Sequence, residues 1–122
     1  MRLSNVQLDA ALSQLEPLLD EGGRFGYVVA VNFRKIRDAI SEYLTIKYEI
    51  VRKYGDEVTD GEGNITDFKI SADSDGFQDF LREIAELADI EHDVDVLTIK
   101  AEDAIGHLTG NQFLQLDWMI ED

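Results

Sequence analysis

Between Tyr27 and Tyr54, seven residues recur at alternating steps of four and three: Val29, Phe33, Ile36, Ile40, Tyr43, Ile50 and Tyr54. Lys47 fills the one step where an apolar residue is missing. Such spacing gathers side chains along one stripe of a helix. Leu44 and Val51 widen the stripe to the face of a packed globular helix. Arg52 and Lys53 complement the dipole of the last turn, and Gly55 stands where a left-handed C-terminal residue is expected. The pattern predicts one helix of about 40 Å at about 1.5 Å per residue, longer than a small core needs. It should act as a spine. Tyr27 to Val31 is rich in β-branched residues and has local strand preference, but Val29 keeps the downstream register and favours helix.

The flanking chain supplies shorter elements. Ser4 and Gln7 have capping-box spacing, and Leu8, Ala11, Leu12, Leu15 and Leu19 follow on one helical stripe. Pro17 lies within that stripe and should end or kink the helix near Leu15, before Gly22 and Gly23 break it. Beyond Gly55, DEVTDGEGN reads as a turn-rich loop leading to a strand at 65–71, where Phe68 and Ile70 alternate with charged neighbours. Asp75 and Gln78 predict an acidic cap for a helix carrying Phe77, Phe80, Leu81, Ile84, Leu87 and Ala88. A strand at 92–100 follows, and its parity changes after Val96, as a bulge or a strand covered on both faces would produce. Thr109 and Gln112 then cap a short terminal helix whose face is Phe113, Leu116, Met119 and Ile120. Met1 to Leu3 can add a third strand. The expectation is a single α+β domain over 1–122: mainly helical, a long central helix with three shorter helices and a small two- or three-stranded sheet.

Net charge is −15, and its distribution narrows the function. Residues 73–122 carry 14 acids and 2 bases, whereas 27–54 carry 6 bases against 3 acids. A chain of this sign repels nucleic acid at long range, so direct nucleic-acid binding is not expected. With no cysteine there is no disulfide, thiol nucleophile or thiolate metal site. Nothing reads as a signal peptide or membrane span, which predicts an intracellular protein without a membrane partner.

No constellation of side chains predicts catalysis. The loop from Asp60 to Ile65 has the composition of a calcium loop, but alignment on Gly63 puts Val58 at the first ligand position and Lys69 at the twelfth, where a bidentate glutamate is required, so a hairpin turn is the expectation. His92 and His107 read as surface histidines. Neither a glycine-rich phosphate cradle, a serine elbow nor a zinc helix motif is present. No catalytic residue, cofactor or metal is therefore expected. Lys47 is the informative polar residue, because a lysine in a helix seam either specifies a partner or lays its stem along the stripe. The candidate interaction surface is Ile36, Ile40, Tyr43, Lys47, Ile50 and Tyr54.

Three tracts, RLSNVQLDAALSQL, EIVRKYGDEVTDGEGNI and DGFQDFLREIAELADIEHDVDVLTIKAED, together resemble a group of small phage and prophage proteins of unknown function. The resemblance implies a phage-encoded accessory protein of virion assembly or host takeover, placed in the host cytoplasm or the virion. It implies no catalytic residues. Joined to the stripe, it predicts a protein partner, a second copy of the chain included. An alternative from the acidic tail is an inhibitor that imitates nucleic acid and occupies the groove of a nuclease or other DNA-binding protein.

Overall fold

A computed structural model describes residues 1–121. In chain order these form β1 (Arg2–Ser4), α1 (Asn5–Leu15), α2 (Gly23–Ala39), α3 (Ser41–Tyr54), β2 (Asp56–Thr59), β3 (Ile65–Lys69), α4 (Phe77–Ala88), β4 (Glu91–Asp93), β5 (Ile99–Lys100), α5 (Ala101–Ala104), α6 (Gly110–Gln115) and β6 (Ile120–Glu121). The class is α+β and mainly helical. Its strands make three separate ladders rather than one small sheet: β1 with β4 and β2 with β3, both antiparallel, and β5 with β6, parallel. Tertiary contacts gather in two compact units, one from Met1–Ile40 with the chain from Glu91 onward, the other from Ser41–Ile90.

The single long helix is not formed. Residues 27–31 are helical, but α2 stops at Ala39, and Ile40 leaves the helical region at φ −114°, ψ 23° while its N–H still donates to Ile36 O. The chain re-enters helix at Ser41, with Glu42 in the first turn. A β-branched residue followed by serine and glutamate is a stop and a restart in local terms, because serine competes for backbone groups and an acid suits a helix N-terminus. Apolar periodicity ran through the break and concealed it.

In the first unit α1 packs on α2. The capping box at Ser4 and Gln7 is formed, and Leu8, Ala11, Leu12 and Leu15 are buried as their stripe predicts. Leu19 is not; Leu18 takes its place, because Pro17 sits in a tight 3₁₀ turn over Glu16–Leu18. Three residues per turn bring residue 18, not 19, back over Leu15. From α2, Phe25, Val28, Val29, Ile36 and Ile40 meet this layer, joined by Val94, Ile99, Ala104, Leu116 and Met119. The strand expected over 92–100 is two short pieces. Between them Asn32 of α2, fully buried, donates from Nδ2 to Leu97 O (2.9 Å) and accepts from Leu97 N–H (2.8 Å). A backbone satisfied by a side-chain amide needs no strand partner, which accounts for the parity change in the sequence. At the end of the chain, the box at Thr109 and Gln112 is formed, but helix gives way to a 3₁₀ turn at Asp117–Met119 and then β6.

In the second unit α3 packs on α4; β3 forms within the strand expected at 65–71, and its hairpin partner β2 forms where a loop was expected. Gly55 does not take the left-handed conformation. It is required by proximity instead: a Cβ there would stand 2.5 Å from Lys69 O and 2.5 Å from Val51 O. Gly76, not Asp75, caps α4, without a side-chain hydrogen bond. The 60–64 turn is the expected hairpin turn. Asp60 Oδ1 accepts from the N–H groups of Glu62 (2.8 Å) and Asn64 (3.0 Å), and Gly63 is left-handed at φ +86°. These backbone donors, Glu62 first, favour the ionised carboxyl and hold its pKa below the ordinary value. A group with a lowered folded pKa contributes stability above its unfolded pKa and loses it as pH falls through the folded value. An NMR titration should therefore place the Asp60 midpoint below 3.8, and Asn64→Gly should move it up by removing the side-chain donor.

Candidate interaction surface

The six residues of the expected surface do not come together. Ile36 and Ile40 are buried in the first unit; Tyr43, Lys47, Ile50 and Tyr54 lie on α3 in the second. Tyr43 and Ile50 are buried, and Lys47 and Tyr54 are half-buried. The stripe is thus mostly core. What it leaves open is its margin.

That margin is a cleft of about 360 Å³ between α3 and α4, lined by Ile46, Glu49, Ile50 and Lys53 from one helix and Glu83, Glu86 and Leu87 from the other. Steps of three and four put each set on one side of its helix. Ile50 and Leu87 make the floor, and Ile46, 40% exposed, extends it toward solvent. The lips are acidic, with three carboxylates to one ammonium. Lys53, which the sequence places one turn after Glu49, reaches across instead: its Nζ lies 3.4 Å from Glu83 Oε1. Contact with Tyr54, and then the Glu83 carboxylate, raise the Lys53 pKa above the ordinary lysine value. This pair is solvated on both sides and adds little stability. Glu83 Oε2 is different, being shielded from solvent and without a hydrogen-bond partner.

A larger cleft of about 530 Å³ lies in the first unit, where Arg24, Tyr27 and Val28 of α2 face Leu97–Lys100, Glu102, Asp103 and Glu121. Tyr27 is 66% exposed at its edge, and Thr98 Oγ1 donates to Glu121 Oε2 at 2.9 Å. Its charges are of both signs and it contains no histidine or cysteine. Both histidines are half-buried with defined neighbours, contrary to the surface reading. His92 Nε2 lies 2.7 Å from Asn5 Oδ1, and His107 Nδ1 lies 2.8 Å from Glu21 Oε1 while its ring stacks on Phe25. Among the described residues no three of His, Asp or Glu stand close enough together to hold a metal ion, and no helix is long and apolar enough to cross a membrane.

Sequence reasoning missed Glu83 and Glu86 because acids beside an apolar stripe read as solvated surface. No protein-family model, curated protein or solved structure matches this chain.

Proposed function

We propose that the chain is a non-enzymatic phage or prophage accessory protein that acts through protein–protein contacts, in virion assembly or host takeover. Its place would be the host cytoplasm or the virion. The observation that carries the contact reading is the α3–α4 cleft, an apolar floor open to solvent between charged lips. Buried apolar centres ringed by polar side chains are how protein interfaces concentrate their energy. The phage assignment is supported by the resemblance of the three sequence tracts.

The alternative of a nucleic-acid mimic draws on the acids of residues 73–122, and the fold divides these between the two units. The contact reading is preferred because the α3–α4 cleft gives it an apolar floor that a nucleic-acid mimic does not require. Light scattering after size exclusion, joined to affinity capture from cells in which the prophage is induced, tests it. An oligomer, or a partner retained at about 0.3 M salt where diffuse attraction is screened, is the expected result. A strict monomer at high micromolar concentration with no partner captured would overturn it.

A further inference from the structure

From the α3–α4 cleft we infer the chemistry of the occupant: a cationic amphipathic segment of another protein, which sets an apolar side chain on Ile46, Ile50 and Leu87 and a lysine or arginine against Glu83 and Glu86. The inference rests on the protein-contact reading above and goes on to specify the partner. Size gives the first argument. About 360 Å³ falls at the lower end of the roughly 300–1,000 Å³ of ligand pockets, room for one or two side chains rather than an extended surface. Charge gives the second. The cleft has Glu49, Glu83 and Glu86 against Lys53, in a unit with 13 acids and 5 bases. A second copy would bring another −15 to the same place, whereas a basic segment is drawn in and oriented.

Glu83 gives the third. Its Oε2 is a shielded acceptor with no donor, and an unsatisfied buried acceptor is unfavourable. The side chain as a whole is 37% exposed, so a change of its χ1 or χ2 rotamer can bring this oxygen out to meet an arriving N–H. The three glutamates do not converge on one point as metal ligands would, which suits separate donors spaced along a peptide.

A fluorescein-labelled model helix of leucine and lysine, its leucine and glutamate counterpart, and a scrambled lysine peptide of equal charge without an apolar face are the probes, read by fluorescence anisotropy on the full chain. The leucine–lysine helix should bind, more weakly as salt rises, and at least about fivefold tighter than the scrambled peptide. Glu83→Gln with Glu86→Gln should weaken it about tenfold, and Ile46→Ala, which leaves the charge intact, about threefold. Asp20→Asn with Asp117→Asn removes equal charge from the first unit and should change binding less than about twofold. Thermal unfolding of each variant establishes that it is folded. Equal losses in the two charge-neutralised variants, or no loss in Ile46→Ala, would reduce the binding to diffuse attraction and overturn the inference. Failure of the leucine–lysine helix to bind while the protein self-associates would make the occupant a second copy: the inference falls and the contact reading stands. A captured partner whose binding is unchanged in every cleft variant has the same consequence.

Discussion

Phe25→Ala should destabilise the first unit by about 3–5 kcal/mol, read as a lower urea midpoint at unchanged slope. The ring is 1% exposed, among the largest fully buried side chains, and stacks on His107 with centroids 4.8 Å apart and planes 12° from parallel. Truncation removes its own transfer energy and leaves a void that α1 and α2 can fill only in part. His107→Ala removes the stacking partner and should cost about 0.5–1.5 kcal/mol beyond its area. Because the two residues touch, their costs should not add, and a double-mutant cycle should return a coupling above about 0.5 kcal/mol. A Phe25→Ala loss below about 1 kcal/mol would place the ring outside the core.

Phe25 also shows how far the sequence could be read. Residues 25, 29, 32 and 36 stand at steps of four, three and four, and all are buried; the register read from apolar residues alone passed through Phe33 instead. Phe33 is half-buried with the Arg37 guanidinium 5.7 Å from its ring centre, a margin position. The apolar register failed where the core side chain is an amide. Elements set by short-range chemistry were legible, including α1, α4 and the capping boxes at Ser4 and Thr109. Those that depend on distant partners were not. β2 is exposed along most of its length and exists because β3 pairs with it, and β5 and β6 are two residues each, too short to leave a pattern. The break at Ile40 was visible only in propensity, which a strong stripe outweighs. The candidate cleft was half legible. Ile50 was named from its stripe, but Glu83 and Glu86 acquire meaning only when α4 lies beside α3.

The buried amide carries the other large expectation. Asn32 is 0% exposed and both ends of its amide are spent on one residue, Leu97, sixty-five positions along the chain. Asn32→Ala should cost about 2–5 kcal/mol, since it strands a backbone N–H and a C=O, at about 1–3 kcal/mol each when buried, and opens a small void. Asn32→Leu nearly restores the volume but neither hydrogen bond, so it should recover less than half of that loss. Asn32→Asp keeps the acceptor for Leu97 N–H, faces Leu97 O with a carboxylate, and should be at least as damaging as alanine at neutral pH. Hydrogen exchange separates this local effect from global unfolding. The Leu97 amide should be protected in the native protein and exchange at least about tenfold faster in Asn32→Ala, under conditions where amides in the middle of α2 are unaffected. If Leu97 exchanges at the same rate in both proteins, the irregular stretch between β4 and β5 is held by its apolar neighbours Val94 and Ile99, and the amide is packing rather than a clamp.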